Sequence, residues 1–384
     1  MTTETNSEAG RLAVFAAGEV AHVAHAPAGG GAVIDAALFE DALAAITAWP
    51  GYRPTPLHDL PALAGDAGVG TILYKDEGPR FGLKSFKALG GAYAVQALVQ
   101  AHGGDGGGLT VCCATDGNHG RSVAWGAGRF GCRCVIYLHA EVSAGREAAI
   151  AAYGAEIVRV DGNYDASVRA AARDAEANGW HVISDTSYAG YSDIPRQVMA
   201  GYGVIAEEIA AEIGDGPLPT HAFLQGGVGG FAAALAICFR NRWREAAPRL
   251  VVVEPALAAC LLRSAEAGAV TEVLVEAETL MAGLSCGVPS LLAWDVLRAE
   301  ASDFLAVPES FVVPAMRLLA RPIGGDPAIE AGESAVAGLV GLLGAACRPE
   351  LAKALGLDKD SRVLVVGTEG ATDPALYAAL IGAG

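Results

Sequence analysis

Between residues 109 and 184 short apolar runs alternate regularly with longer amphipathic ones, and no other feature restricts the fold as tightly. The spacing predicts strands over 109–113, 133–138, 156–160 and 181–184, separated by helices over 120–130, 143–153 and 166–177. Strands divided by crossovers of helix length pair in parallel, and the helices then cover the faces of the sheet. Ahead of this unit the sequence predicts a helix over 36–48, an extended arm with two prolines over 52–57, a strand over 71–75 and a helix over 88–101. Behind it come a long helix over 195–213, a strand and loop over 220–230, and further alternation to the carboxyl end. The expectation is an α/β chain of two three-layer αβα domains with parallel-rich sheets. The larger comprises 1–89 plus 195–384, and the smaller is inserted as 90–194. A chain of 384 residues that is 52% hydrophobic can bury two such cores. The segment 314–326 lacks clean periodicity and is expected to form a mobile edge of the cleft between them.

Composition narrows the partners. A formal charge of −17 argues against nucleic acid and anionic membranes, because phosphate backbones are bound by clustered Lys and Arg. No apolar run approaches the ~18 residues of a membrane span. The polar, acidic amino-terminal residues do not resemble a secretory signal, so a cytoplasmic location is expected. None of the eight cysteines has the paired spacing of a zinc site, and no metal is expected. Cys260 and Cys286 are candidates to face one another, with free thiols expected in a reducing compartment.

Three stretches carry chemistry. Arg80-Phe81-Gly82-Leu83-Lys84-Ser85-Phe86-Lys87-Ala88-Leu89-Gly90-Gly91 sets an amine at a loop-to-helix junction where small residues let backbone come close. An amine held there can form a Schiff base. Ala114-Thr115-Asp116-Gly117-Asn118-His119-Gly120 is a polar loop following an apolar strand. Asn118 can donate to a phenolate oxygen, and Asp116 either caps the next helix or takes a proton near a substrate's α-carbon. His119 reads as an orienting or packed histidine rather than a base. Gln225-Gly226-Gly227-Val228-Gly229-Gly230 leads into an apolar helix, where converging N–H groups suit a phosphate. It lacks the G-x-G-x-x-G spacing of a dinucleotide site. Lysine, ring loop and phosphate loop in this order outline a site for pyridoxal 5'-phosphate (PLP).

Further ordered motifs are Lys75-Asp76-Glu77, Asp185-Thr186, Gly190-Tyr191, Ile194-Pro195-Arg196, Met199, Gly201-Tyr202-Gly203, Met281-Ala282-Gly283-Leu284, Cys286-Gly287, Gly332-Glu333-Ser334, Thr368-Glu369-Gly370 and Thr372-Asp373-Pro374. With the three loops they make the chain similar, over nearly its whole length, to the diaminopropionate ammonia-lyase family of PLP enzymes, in the fold type II (tryptophan synthase β-like) group. The resemblance implies that Lys87 is the Schiff-base lysine, with Phe86 beside it, and that Asn118 contacts the ring oxygen. It implies that Gly226, Gly227, Val228, Gly229 and Gly230 cradle the phosphate, and that Thr368 faces the pyridine nitrogen, with Ser334 the alternative. Lys87 and Asp116 would serve opposite faces of the α-carbon, and Asp185 would help bind a β-ammonium. The implied reaction eliminates ammonia from D- and L-2,3-diaminopropionate, giving pyruvate and two ammonia, in a cytoplasmic homodimer. The alternatives are a β-eliminase or β-replacing enzyme for another β-substituted amino acid, or a PLP-binding protein without turnover.

Overall fold

The computed structural model describes residues 11–27, 34–115, 117–162, 164–322 and 324–382. Its strands are β1 (Ala21–Ala24), β2 (Leu57–Asp59), β3 (Thr71–Asp76), β4 (Thr110–Ala114), β5 (Arg133–His139), β6 (Glu156–Val160), β7 (His181–Val182), β8 (His221–Gln225), β9 (Arg249–Pro255), β10 (Asp303–Val307) and β11 (Arg362–Gly367). Among the described residues they form a seven-stranded sheet of order β1-β10-β9-β8-β11-β3-β2 and a four-stranded sheet of order β6-β5-β4-β7. The smaller sheet is wholly parallel. In the larger, only the edge strands β1 and β2 run antiparallel.

Successive strand residues point to opposite faces, so one strand feeds two cores. In β8, Ala222 and Leu224 join the core beneath helices Gly230–Trp243 and Asp193–Ile213, whereas Phe223 packs towards helix Ala337–Ala346. In β5, Ile136 and Leu138 join the first of those cores, and Val135 and Tyr137 meet Ala170, Ala171 and Ala175 of helix Tyr164–Asn178. Each sheet is therefore the middle of three layers, as the alternation predicts, and one apolar core runs between the sheets. Helix Lys87–Ala101 lies in that shared core. A Cβ on its Gly90 would stand 2.5 Å from the ring of Tyr202, so glycine there permits two helices to touch.

Three features depart from the sequence expectation. Strand β1 and a short helix Ala13–Ala17 precede the one helix expected there, over 36–48, which the structure places at Ala36–Thr47. The proline arm ends in β2, an edge strand of three residues. The segment expected as a mobile edge instead begins within helix Val312–Ala320, which buries Val312, Ala315, Met316 and Leu319. Pro314 sits in its first turn, where a missing N–H leaves no hydrogen bond unmade.

Candidate active site

In an open parallel sheet the loops at the strand carboxyl ends diverge where the strand order reverses, which opens a crevice. In the smaller sheet the reversal lies between β4 and β7, which are followed by Thr115, Gly117 and Asn118 and by Asp185. In the larger it lies between β8 and β11, followed by Gly226 to Gly230 and by Thr368-Glu369. The stretch after β3, next to β11, delivers Lys87 as the first residue of its helix.

The loop ahead of Lys87 is held unusually. Phe81 and Lys84 take left-handed backbone (φ 50° and 56°), uncommon for residues with a side chain. The Phe86 N–H donates to the Thr368 carbonyl at 3.0 Å, and the Gly370 N–H to the Lys84 carbonyl at 3.0 Å. Arg121 Nη1 donates to the Leu83 carbonyl at 3.0 Å. Below, Arg80 is saturated by Glu77, Glu208, Thr55 and the Arg53 carbonyl. Lys75 Nζ donates to Glu208 Oε2 and to the Thr55 carbonyl, both at 2.6 Å.

The Lys87 ammonium pairs with the Asp185 carboxylate. Burial opposes the charge on Lys87, but Asp185 outweighs it and the amine is held protonated above its ordinary range. Burial would likewise raise Asp185, and the adjacent Lys87 ammonium more than reverses it, so the carboxyl is held ionised below its usual range. Nζ lies 5.5 Å from the centroid of Phe86 and 5.9 Å from that of Tyr202. Phe86 is itself buried, 4.7 Å from both Tyr202 and Phe231.

His119 Nε2 donates to the Ile183 carbonyl at 2.8 Å, and Nδ1 lies 3.9 Å from Asp185 Oδ2. Burial lowers its affinity for protons, Asp185 opposes that and Lys87 adds to it, and the net shift is downward, which favours the neutral ring. Asn118 Nδ2 donates to Glu369 Oε2. Glu369 Oε1 accepts from the Ser334 N–H at 3.0 Å, and Ser334 Oγ accepts from the Gly283 N–H at 3.0 Å. Glu333 pairs with Arg146 at 3.4 Å and is pushed up to about 7, by burial first and by Glu369 second. Thr368 is buried after β11. Asp116 lies outside the described residues.

The glycine loop fits a phosphate. Gly227 and Gly229 take φ of +60° and +95°, and helix Gly230–Trp243 then offers its amino-terminal N–H groups and positive dipole end. A Cβ on Gly226 would stand 2.5 Å from Glu254 Cγ, and one on Gly229 3.0 Å from Leu297. The loop adjoins Lys87's partner, since a Cβ on Gly230 would lie 3.7 Å from the Asp185 carbonyl. Among the described residues no group of His, Cys, Asp and Glu is placed to hold a metal ion. The eight cysteines stand as free thiols, with Cys260 buried and Cys286 half-buried. The structure thus draws together Lys87, Phe86, Asp185, Asn118, the glycine loop and Thr368. Glu369, Glu333 and Arg146 carry no role predictable from sequence, although Glu333 and Glu369 lie within the ordered motifs Gly332-Glu333-Ser334 and Thr368-Glu369-Gly370.

A half-buried amine at a helix start and a glycine loop at a helix amino terminus, across the crevice of two parallel-rich sheets, define a fold type II PLP-dependent enzyme. The family model "Pyridoxal-phosphate dependent enzyme" matches residues 48–369. The chain is 41% identical over 346 residues to the diaminopropionate ammonia-lyase of Escherichia coli K12, covering 85% of this chain and 87% of that protein. It is 39% identical over 355 residues to the Salmonella typhimurium diaminopropionate ammonia-lyase, covering 85% and 88%. Among solved structures it superposes with a TM-score of 0.89 and 36% identity on the E. coli enzyme in complex with an aminoacrylate-PLP azomethine reaction intermediate, covering 95% of this chain and 97% of that one. The chain belongs to the diaminopropionate ammonia-lyase family of PLP-dependent enzymes.

Proposed function

We propose that this chain is a PLP-dependent carbon–nitrogen lyase that eliminates ammonia from D- and L-2,3-diaminopropionate, yielding pyruvate and two ammonia. The observation that carries the reading is the Lys87–Asp185 pair beside the glycine loop, in a chain 41% identical to the E. coli lyase. Lys87 would hold the cofactor, Asn118 and Thr368 its ring, and Gly226, Gly227, Val228, Gly229 and Gly230 its phosphate, with Phe86 packing under the lysine. When bound, PLP supplies an electron sink for charge developing at the α-carbon. Lys87 takes or returns the α-proton on one face, and Asp116 takes it on the other. Asp185 presents an anion to the β-ammonium, stabilising the cationic form that departs as ammonia. Tyr202 and Phe231 wall off the lysine side and exclude water.

The reading includes a division into a larger unit (1–89 plus 195–384) and a smaller unit (90–194), supported by the separate sheet that β4 to β7 form. It also includes a cytoplasmic location, which suits eight free thiols, and a homodimer, for which the exposed apolar side chains of Val270, Leu274 and Val288 offer surface. Among the described residues no helix is long and apolar enough to cross a membrane.

The test is pyruvate and ammonia release from D- and L-diaminopropionate, serine and threonine, with the parent and Asp116→Asn. The parent is expected to favour both diaminopropionate isomers. Asp116→Asn should lose about 10²–10⁴-fold on the D isomer, as for a general base, and much less on the L isomer. Preferential turnover of serine or threonine would move the assignment to a dehydratase, and equal losses on both isomers would make Asp116 a binding residue.

A further inference from the structure

His119 is buried, and one of its ring nitrogens is unaccounted for. The Ile183 carbonyl can only accept, so Nε2 carries the hydrogen and the neutral ring turns a bare Nδ1 lone pair inward. Among the described residues Nδ1 has no hydrogen-bond partner, and the nearest ionised oxygen is Asp185 Oδ2 at 3.9 Å. Two acceptors facing one another gain nothing until a proton lies between them. Here Lys87 makes that proton unnecessary, because its ammonium already neutralises Asp185. That balance ends when Nζ is bonded to a cofactor, leaving a half-buried carboxylate without its ammonium partner.

We propose that His119 is the positioning residue for Asp185: once Lys87 engages the cofactor, Nδ1 binds a proton and donates it to Oδ2, so that the carboxylate keeps one orientation and one counter-charge. This rests on Lys87 being the cofactor lysine. The proton comes from the Lys87 ammonium: one N–H breaks, the lone pair left on nitrogen forms the bond to the cofactor carbon, the other two hydrogens leave with the carbonyl oxygen as water, and the new N–H forms at Nδ1. No electrons change hands. Closing 3.9 Å to a bond needs a movement of about 1 Å. The other ionisable groups facing the pair and Lys87 are Tyr202 from the helix Asp193–Ile213, Tyr191 ahead of it, Cys113 of β4, and Cys286. Burial pushes both tyrosines and Cys113 up, so they stay protonated and do not compete.

The experiment uses holoenzyme with ¹³C-labelled histidine, as parent, Asp185→Asn and His119→Gln. The glutamine variant keeps an N–H for the Ile183 carbonyl and lacks the basic nitrogen. The resonance missing from His119→Gln should titrate in the parent at or above the ordinary histidine value of ~6.5, and fall by about one pH unit or more in Asp185→Asn. The kcat/KM profile of His119→Gln should lose an ionisation between about pH 5 and 8 that the parent shows, which lost packing alone does not produce. If Asp185→Asn does not fold, the parent midpoint and this profile decide. A His119 signal that stays neutral across that range, or one unmoved by Asp185→Asn, overturns the proposal. Borohydride labelling of the same sample separates the two readings: a label on another lysine removes the premise, and a label on Lys87 with a silent His119 overturns this proposal alone.

Discussion

Lys75 and Lys87 sit at opposite ends of one loop, both paired with carboxylates, and their surroundings differ in one respect. Around Lys75 every charge is met: Glu208 accepts from Lys75, Arg80 and the Tyr52 hydroxyl, and Arg80 is shared between Glu77 and Glu208. Lys75 and Glu208 are almost wholly buried, whereas Lys87 and Asp185 keep about a fifth of their side-chain surface open, at 20% and 18%. Beside Lys87 a histidine nitrogen is unsatisfied, and the positive end of a helix adjoins the pair. A closed network with nothing to spare fixes backbone. An open one with a spare acceptor and an anion site is built to exchange partners.

The largest effect that sharpens this contrast is expected in the closed network. Glu208→Gln leaves Lys75 and Arg80 with a single buried anion and should cost about 3–5 kcal/mol in denaturant unfolding, while the pH profile of the remaining folded enzyme keeps its shape. A change in that shape with unchanged stability would reverse the two roles. Acid should act on the same residue. Burial alone would raise Glu208, but bonds from Arg80 and the charges of Arg80 and Lys75 hold it down to about 2. A depressed carboxyl adds stability above its unfolded value of ~4.3 and loses it as pH falls towards 2, so on the order of 3 kcal/mol should drain in that window in the parent and not in Glu208→Gln. Acid unfolding midpoints of the two proteins measure this.

A smaller effect is expected at the open site. Gly227 is left-handed at φ +60°, a conformation aspartate tolerates, and a Cβ there meets nothing closer than Leu284 at 3.4 Å. Gly227→Asp should therefore fold and weaken PLP binding by roughly 10–100-fold through like-charge repulsion, read by fluorescence titration. Gly229 is unsuited to this test because its Cβ would stand 3.0 Å from Leu297. Unchanged affinity in Gly227→Asp would mean that the loop holds something else.

What the sequence disclosed follows the same division. Lys87, the glycine loop and the alternation from β4 to β7 are legible because each is written in contiguous residues whose spacing is the signal. The strands β1 and β2 are not, since edge strands of four and three residues carry almost no periodicity. Helix Val312–Ala320 was hidden by Pro314, which reads as a breaker unless the helix start is known. The partners were least legible of all. Asn118 meets Glu369 across 251 residues and Lys75 meets Glu208 across 133, and nothing local in either motif names the other. From sequence His119 is an orienting or packed side chain, and only its unsatisfied Nδ1 facing Asp185 gives it a specific part.

The central claim, that the open site holds its cofactor through Lys87, is tested most directly by borohydride reduction of the yellow holoenzyme followed by peptide mapping. The pyridoxyl group is expected on Lys87, in the peptide that contains Phe86 and Ala88. A label on Lys75 or Lys84, or none on any lysine, would contradict it.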